Sequence, residues 1–508
     1  MDHDIDRSSR PSRRTVLKGL GALGLAAGPA LGVLDALGWA PERLAHAAPQ
    51  GYPDIQFDLG AYVPPARRIE GVDMAMPPVY TVFLTAVLTR PGTPSGEDQR
   101  VLADALDTIE ARYPFTPAGV FAHVSYGLPY FRRLRGGLAP GGVAADHLPM
   151  FKATGESVLQ ESVPGPSDVS ARNPGVAKQT FNVPLRIERN DVLFTLRGDL
   201  LANLTDVVAW LKGSGRLNGA PVPSPAFDGL FAFTSLRVMF VQMLRVMFVQ
   251  IGMPHNVARR FGLPYAERVN PLSPMWMGFF SQQKNGFGPA EIATFQGNAS
   301  AHFTGMPRPG GGLRPVDTSD YFYNGAIQVF AHDILDLAQW YADGRTYDER
   351  VALMFRPNPA PSRSNYDPYR YGGGPAVVSN DVVLNRADGT SDAAIAAATL
   401  GKLGHVQALQ RVTRAPDGVI VPQRVDGPGF DAMDVPDGSP QPKLQFSVFL
   451  PSAQNFAKAR TNAAAPDLSP SKVPASHNGI EPFMTATRRQ NFLCPPRAHR
   501  AFPLLELG

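Results

Sequence analysis

The sequence predicts an α+β fold built from two similar halves, and three observations support this prediction. Runs of β-branched and aromatic residues, typical of strands, are separated by helical patterns. Residues 79–251 follow the order strand–helix–strand, loop, strand–helix–strand, which is the ferredoxin-like order, and the order recurs less clearly in 274–463. The 50 Pro and 49 Gly in 508 residues predict long, irregular connections. Two antiparallel sheets of this kind, stacked face to face, would form one α+β barrel.

The predicted elements follow in chain order. Strands are expected at Val79–Leu88, Gly119–Tyr126, Val192–Leu196, Phe231–Ile251, Pro274–Phe280, Ile327–Phe330, Val419–Val425 and Leu444–Leu450. Helices are expected at Gly96–Arg112, Asp199–Lys212, Asp333–Tyr341, Tyr347–Phe355 and Ala453–Ala463. Pro/Gly-rich loops are expected at 132–190, 284–324 and 357–400. Loops of this length are usually functional or disordered.

The N-terminal sequence predicts an export signal of the twin-arginine type. The pair Arg13-Arg14 precedes a weakly apolar, glycine-rich run that reaches about Ala40, and Ala45-His46-Ala47 offers an A-x-A cleavage site. An uncleaved membrane anchor is the alternative, although Lys18 and Asp35 interrupt the run. We therefore expect a signal peptide at 1–47, passage through the twin-arginine translocase, and a periplasmic or extracellular location. The two halves are then expected at 48–265 and 266–508.

Composition excludes several classes of function. Cleavage after Ala47 removes six Lys or Arg and five Asp or Glu, so the formal net charge changes only from +4 to +3. No basic run follows, and therefore nucleic acid is not an expected partner. Cys494 is the only cysteine, which excludes an intramolecular disulfide, a cysteine-based zinc site and an iron–sulfur cluster.

Residues 236–250 contain a perfect tandem duplication. Leu236–Gln242 is repeated without change as Leu244–Gln250. An insertion of eight residues preserves the two-residue period of a strand, so we expect the second copy to lengthen the strand or to form a bulge. We expect the duplication to be tolerated structurally rather than to have a functional role.

Motifs of the common hydrolases are absent from the chain. It contains no H-x-x-x-H, H-E-x-x-H or G-x-S-x-G sequence. Asp426, Asp431, Asp434 and Asp437 lack the alternation of an EF-hand, and a solvated loop is the expected interpretation. Among the ten histidines, His332 and His405 remain as candidates because they adjoin predicted regular elements.

Residues 325–341 resemble a signature of the dye-decolorizing (DyP-type) peroxidases, haem enzymes with a dimeric α+β barrel fold. The matching places are Gln328, Val329, Leu337 and Trp340. Other stretches keep the family order, among them 82–86, 120–127, 191–196 and 444–449. A C-terminal run, Arg488 to Arg497, is similar to one in uncharacterised exported relatives. The resemblance covers most of residues 70–508.

The resemblance implies a haem b site with His405 as the axial ligand of iron. Gly278-Phe279-Phe280-Ser281-Gln282 stands where the family has Gly-Phe-x-Asp-Gly, so Ser281 replaces the catalytic Asp and Phe279 is expected beside the cofactor. Serine is not a base near neutral pH. Arg424 is the possible substitute for the family's distal arginine, and His332 is expected to line the pocket or to meet a propionate.

Three functions follow as hypotheses. The first is an exported haem protein of the peroxidase type, acting on hydrogen peroxide and an unknown reducing substrate, with weak activity or none. The second is a secreted binding or structural protein that keeps this fold without a cofactor. The third, a metal-dependent hydrolase at His332, has little motif support. Oligomeric state is not predicted.

Overall fold

The computed structural model describes most of the chain that follows the predicted signal. The described residues are 51–65, 67–69, 72–74, 77–241, 243–244, 250–251, 253–271, 273–279, 293–355, 404–410, 421–464 and 478–508. The predicted signal 1–47, Ser281 and the predicted loop 357–400 lie outside them. Within these described ranges, no helix has the length and apolar character needed to cross a bilayer.

The first half is a ferredoxin-like unit. Its elements are β1 (Tyr80–Leu88), α1 (Gly96–Arg112), β2 (Phe121–Gly127), β3 (Val192–Gly198), α2 (Leu201–Leu211) and β4 (Phe231–Phe240). The strands pair antiparallel in the order β4-β1-β3-β2. Helix α1 begins with a capping box, in which Ser95 and Asp98 bond each other's backbone N–H groups.

The second half repeats the same plan. Its elements are β5 (Ala326–Leu335), α3 (Tyr347–Met354), α4 (His405–Gln410), β6 (Gly427–Asp431), β7 (Gln441–Leu450), α5 (Ala453–Ala464) and β8 (Met484–Cys494). The order of the antiparallel strands is β8-β5-β7-β6, and a short strand, Gln423–Arg424, also pairs with β7. The predicted fold class, α+β with two ferredoxin-like halves, is therefore confirmed.

The two sheets meet along both edges. Strand β8 pairs with β2 through Phe492 and Leu493, and β6 lies against β4. A Cβ atom on Gly429 of β6 would lie only 3.0 Å from the carbonyl oxygen of Val238 in β4, so this seam needs a glycine. The inner faces bury an apolar core that includes Phe83 and Phe330, whose ring centroids are 4.5 Å apart. The helices cover the outer faces.

Shorter elements connect the two units. The additional helices and 3-10 turns are Leu128–Arg133, Val143–His147, Met253–Arg260, Ala266–Arg268, Asn298–Phe303, Leu337–Trp340, Glu481–Phe483, Arg497–His499 and Leu505–Leu507. The additional strands are Arg67–Ile69, Val72–Met74, Met150–Phe151, Glu156–Ser157, Arg186–Ile187, Arg216–Leu217, Ala220–Pro221, Met243–Leu244, Gln250–Ile251, Thr304–Pro307 and Leu313–Arg314.

Two predicted elements near the middle of the chain are wrong. Residues 273–279 form turns rather than a strand. Their aromatic side chains are buried because Trp340 and Tyr341 donate hydrogen bonds to the carbonyls of Met277 and Trp276 and hold the turn in place. The helix expected from Asp333 begins only at Leu337, because β5 continues to Leu335 and pairs with strands on both sides.

The duplicated segment also departs from expectation. Strand β4 ends at Phe240, and Met243–Leu244 pairs with Gln250–Ile251 in a separate two-stranded sheet. The described ends of the added copy, Leu244 and Gln250, therefore pair with residues outside the main sheet instead of extending it. Of the first copy, Leu236 to Phe240 keeps its pairing with β1.

Candidate functional site

Consecutive residues of β5 point to opposite faces of the second sheet. His332 shares the barrel interior with Phe330, which packs on Phe83 of the first half. Asp333 lies on the outer face, where the charge of Arg460 from α5 acts on it. This alternation follows from the two-residue period of a strand. The protein therefore holds two separate groups of buried charges, one on each face of the same sheet.

His332 lies in a group of polar side chains that occupies both of its ring nitrogens. Its Nδ1 is 2.8 Å from Thr487 Oγ1, and its Nε2 is 3.4 Å from Asp431. Asp431 also accepts a hydrogen bond from Gln445 and lies 3.6 Å from the buried ammonium of Lys443. Burial lowers the pKa of His332, with Asp431 opposing the shift, so its imidazole is neutral at pH 7. Neither ring nitrogen is left to bind a ligand.

Ion pairs extend this group across the barrel to the first half. Arg488 pairs with Asp434 (2.5 Å) and with Glu188 (3.2 Å), and Glu188 also pairs with Arg237 of β4. Burial acts to raise the pKa of Asp434, but Arg488 outweighs it and lowers the pKa to about 2. We call the whole set the interior charge cluster: Glu188, Arg237, His332, Asp431, Asp434, Lys443 and Arg488. Alternating charges that connect the two sheets indicate a structural role.

His405 differs from His332 in having an unsatisfied ring nitrogen. It is the first residue of α4, and its Nδ1 is buried without a hydrogen-bond partner among the described residues. Gly479, at φ +52, lets the chain approach closely, because a Cβ there would lie 2.9 Å from the backbone nitrogen of His405. Burial lowers the pKa of His405 to about 4, with Glu481 opposing the shift and Arg460 and Arg424 adding to it. The imidazole is therefore neutral at physiological pH.

A second group of buried charges lies beside His405 on the outer face. Asp168 is 2.7 Å from Arg489 and 3.2 Å from Arg460, and Arg460 is 2.8 Å from Glu481. Burial raises the pKa of Asp333 to about 6 despite the two arginines. We call this set the outer-face charge cluster: Asp168, Lys178, Asp333, Arg460, Glu481 and Arg489. Its three cations and three carboxyl groups largely neutralise one another.

Arg424 lies on the same face as His405. In the short strand before β6, Gln423 is opposite Phe449 of the interior core, and Arg424 is opposite Val448. Adjacent strand residues alternate in direction, so Arg424 points outward. Its charge contributes to the lowered pKa of His405. The structure thus brings two of the sequence-predicted residues, Arg424 and His405, into one region.

The glycine–phenylalanine stretch contacts the same helical layer. Phe279 packs on Tyr347 of α3 and on Phe355, with ring centroids 5.8 and 5.1 Å apart. Helix α3 also contacts α4, which begins with His405. Phe279 and His405 are therefore next to a common element, whereas His332 is on the other face of the sheet. Ser281 lies outside the described residues.

The residues around His405 fit a haem group in their donor chemistry. Neutral imidazole is the form that binds haem iron. The Nε atoms of Arg460 and Arg489 are also buried without partners among the described residues, so unused donors exist on this face. Among the described residues no cluster of three or more His, Cys, Asp or Glu side chains is arranged to hold a metal ion directly.

The charged neighbours of His405 are not predicted by the sequence pattern. Asp333 was assigned to a helix, and Arg489 was noted only as part of a C-terminal run. Asp168 and Glu481 lie in loop and turn segments where a lone carboxylate gives no signal. Two adjacent arginines followed by Gln490 and Asn491, before the apolar Phe492, would have been the available clue to a buried polar strand.

The geometry defines a class of protein: a double ferredoxin-like α+β barrel with a half-buried histidine beside charged residues on its outer face. The sequence profile described as "Family of unknown function (DUF7405)" matches residues 158–496. The chain therefore belongs to this family. No curated protein matches the sequence.

Several solved structures are similar in fold, among them DyP-type peroxidases. The enzyme from Cellulomonas bogoriensis has 12% identity and a TM-score of 0.47, covering 88% of this chain and 99% of that one. A variant of DypB from Rhodococcus jostii RHA1 in complex with heme has 11% identity and a TM-score of 0.44, covering 84% and 95%. The oxyferrous complex of DtpA from Streptomyces lividans has 12% identity and a TM-score of 0.44, and the match covers 87% of this chain and 98% of that one. These are the proteins that the sequence signature resembles, but scores this low carry no argument about a site.

Proposed function

We propose that the protein binds haem b through His405 and acts as an exported oxidoreductase of the peroxidase type with an altered distal pocket. The observation that carries the proposal is the imidazole of His405, which is neutral, buried at Nδ1 and without a hydrogen-bond partner there among the described residues. A buried polar atom of this kind normally has a partner. A bound group that fixes the ring would remove the anomaly.

The protein's own residues would set the properties of the site. Haem iron, when bound, would supply redox chemistry with hydrogen peroxide and an unidentified reducing substrate. The negative charge of Glu481 favours electron donation from His405, and the positive charges of Arg460 and Arg424 oppose it. Phe279, Tyr347 and Phe355 would supply apolar surface that excludes water.

Proton transfer on the distal side is the weak point of this site. A carboxylate at position 281 would take a proton from peroxide and return it, but Ser281 has no ionisable group near neutral pH. Arg424 would stabilise negative charge, but a guanidinium does not release its proton. We therefore propose slow peroxide turnover or a haem function without it.

The absorption spectrum of protein purified from haem-replete cells tests the proposal. We expect a Soret band in the wild type, its loss in His405→Ala, and its return when free imidazole is added to that variant. His332→Gln is the matched control, because His332 is buried but belongs to the interior charge cluster, and we expect it to keep the band. No Soret band in the wild type, or a band that His405→Ala retains, would overturn the proposal.

Export by the twin-arginine translocase is a separate part of the proposal and rests on Arg13-Arg14 and the run that follows. Such export carries folded proteins, which would allow haem loading before translocation. Substitution of both arginines by lysine should keep the protein in the cytoplasm, as measured by cell fractionation. Equal export of the variant would contradict this part alone.

One observation favours the cofactor-free alternative, a secreted binding or structural protein. The outer-face charge cluster is nearly balanced internally, because Asp168 pairs with both arginines and Glu481 pairs with Arg460. A face that neutralises its own charges does not require the propionates of haem. The spectrum of the wild type decides between the two functions.

A further inference from the structure

Arg197 is a buried arginine without a counter-ion. It lies near the end of β3 and is 4% exposed. The other buried arginines that the structure describes each pair with a carboxylate: Arg237 with Glu188, Arg460 with Glu481, Arg489 with Asp168 and Arg500 with Glu110. Arg197 forms no such pair among the described residues, and burial alone lowers its pKa to about 10.

The nearest carboxylate in the sequence does not neutralise Arg197. Asp199 accepts a hydrogen bond from the backbone N–H of Val79 at 3.1 Å, and it makes no contribution to the pKa of Arg197. The Nε atom of Arg197 is also buried without a hydrogen-bond partner in the part of the chain that the structure describes. An unpaired buried charge is strongly unfavourable. Nothing among the described residues neutralises this charge, so the position is suited to a bound anion.

Two further unsatisfied polar atoms lie on the same inner face of the first sheet. Thr81 of β1 is directly opposite Arg197 in the antiparallel pairing, and its Oγ1 is buried without a partner. His123 of β2 is opposite Thr195, which places it diagonally to Arg197. Side chains at such positions are about 5 Å and about 7 Å apart at Cβ. Nε2 of His123 is likewise buried without a partner.

The charge of Arg197 acts directly on His123. Burial, together with the positive charges of Arg197 and Arg497, lowers the pKa of His123 to about 3. The imidazole is therefore neutral at pH 7 and has one N–H to donate. A guanidinium, a neutral imidazole and a hydroxyl together offer several donors and one positive charge. The matching ligand accepts hydrogen bonds and carries one negative charge.

The surroundings limit the size of that ligand. The ring of His123 is 5.8 Å from that of Phe449, which stacks on Phe57 at 3.8 Å. Met239 of β4 is opposite Thr81. These apolar side chains belong to the interior core, so a ligand beside Arg197 has to be small. The planar fork of arginine favours two oxygen atoms in one plane.

We propose that Arg197, His123 and Thr81 form a binding site for a small carboxylate-type anion inside the barrel. Arg197 would bind the two oxygens through its guanidinium fork, and the other two side chains would donate to their remaining lone pairs. The site lies in the first half and in the barrel interior, separate from His405 on the outer face of the second half. It does not depend on the proposed haem function.

Thermal unfolding of the full chain at pH 7 tests this site, with sodium formate as the probe and a bulky sulfonate salt holding the ionic strength constant. We expect formate to raise the melting temperature of the wild type by about 2 °C or more, with saturation, because it binds only the folded state. Chloride at equal concentration should raise the melting temperature less, because a spherical ion cannot accept two parallel hydrogen bonds from the planar guanidinium of Arg197 as a carboxylate does.

Arg197→Met should abolish the effect of formate. Its melting temperature without formate should equal or exceed that of the wild type, because an unpaired buried charge is removed. Arg237→Met is the matched control: it removes a buried arginine that has a carboxylate partner, and it should lower stability yet keep the response to formate. A formate response that survives in Arg197→Met, or a wild type that responds equally to formate and chloride, would overturn the proposal.

Thr81→Val provides a second test that removes a hydroxyl at nearly constant volume. We expect the formate concentration at half-saturation to rise about tenfold, the usual effect of losing one hydrogen bond to a charged group. An unchanged half-saturation would contradict the role of Thr81 even if Arg197→Met did not fold.

Discussion

Asp168→Asn tests the outer-face charge cluster most directly, because this carboxylate is shared by two arginines. Its Oδ2 is 2.7 Å from Arg489 Nη1 and its Oδ1 is 3.2 Å from Arg460 Nη2. It also accepts a hydrogen bond from the backbone N–H of Gly165 at 2.7 Å. Asparagine keeps the shape but removes the charge, and its amide group would direct a donor toward a guanidinium.

The size of the stability loss in Asp168→Asn depends on which arginine loses its carboxylate partner. Arg460 would keep Glu481 at 2.8 Å, whereas Arg489, 1% exposed, would have no carboxylate within ion-pair distance among the described residues. Removing one partner of a buried ion pair costs about 3–5 kcal/mol because the other charge remains buried. Since only one of the two arginines is left unpaired, we expect a loss of about 3 kcal/mol in the free energy of unfolding.

Urea denaturation followed by tryptophan fluorescence measures this loss. Glu161→Gln is the control, because Glu161 pairs with Arg189 on the surface (2.9 Å) and should change stability by no more than about 0.5 kcal/mol. Adding Arg489→Met to Asp168→Asn should recover part of the loss, since the double variant no longer buries an unpaired charge. A single variant within about 1 kcal/mol of the wild type would refute the reasoning.

The stability difference between the wild type and Asp168→Asn should depend on pH in a direction set by the pKa of Asp168. Burial acts to raise the pKa of Asp168, but Arg489 and Arg460 prevail and lower it well below its usual value. A lowered pKa in the folded state stabilises the protein at pH values above the unfolded pKa of about 4, and the contribution is lost as pH falls below it. The difference between wild type and Asp168→Asn should therefore shrink in acid.

Three other outcomes are expected. The free energy of unfolding of the wild type relative to Asp333→Asn should fall by about 2–3 kcal/mol between pH 4 and pH 7. The folded state keeps the Asp333 carboxyl protonated up to about pH 6, whereas the unfolded state does not. Equal pH profiles of the two proteins in urea denaturation would contradict this prediction. Gly429→Ala should cost about 1–3 kcal/mol, since the new Cβ would lie 3.0 Å from a backbone oxygen, whereas Gly175→Ala, which meets nothing within 4 Å, should be neutral in the same assay. If the protein binds haem, Ser281→Asp should raise peroxide turnover about a hundredfold by restoring a proton acceptor, and unchanged turnover with a normal Soret band would exclude position 281 as the limiting defect.

The first half was predicted closely from the sequence because its strands combine β-branched residues with clear helical patterns between them. Strand β1 was predicted at 79–88 and is observed at Tyr80–Leu88, and α1 was predicted without error at Gly96–Arg112. In each case a local pattern and the tertiary environment favour the same structure. Local patterns decide an element when no distant partner is needed to satisfy its polar groups.

Strand β8 was not predicted, and its chemistry explains the failure. Met484–Cys494 includes Arg488, Arg489, Gln490 and Asn491 in the middle of a central strand. Such a stretch resembles a solvated tail, because nothing near it in the sequence neutralises two arginines. The partner carboxylates come from distant segments: Asp168 is 321 residues from Arg489. Only the fold brings these charges together, so the sequence pattern alone could not identify the strand.

The sequence predicted residues of the candidate site but not which of them lie together. The resemblance to a peroxidase signature pointed to His405 and His332 together, but strand alternation separates them. His332 faces the interior with both ring nitrogens occupied, and His405 lies over the outer face with Nδ1 unoccupied. A motif shows which residues are present in a segment, but the parity of each position in its strand decides which residues share a site.

Because side chains alternate along a strand, three pairs of neighbouring residues are divided between the interior and the outer face of the second sheet. His332 and Asp333, Arg488 and Arg489, and Gln423 and Arg424 each contribute one side chain to the interior and one to the outer face. In the interior, Arg488 connects the two halves through Glu188, which also pairs with Arg237, so the barrel does not depend on a ligand for these charges. The outer members lie on the face that carries His405. Unsatisfied donors remain on both faces: Nε and Nη1 of Arg237 in the interior, and Nε of Arg460 and Arg489 on the outer face. A sheet that is covered on both faces can therefore hold a structural charge network on one face and a potential ligand site on the other, with their residues adjacent in the sequence. Substitutions at adjacent positions will test stability at one residue and ligand binding at the next.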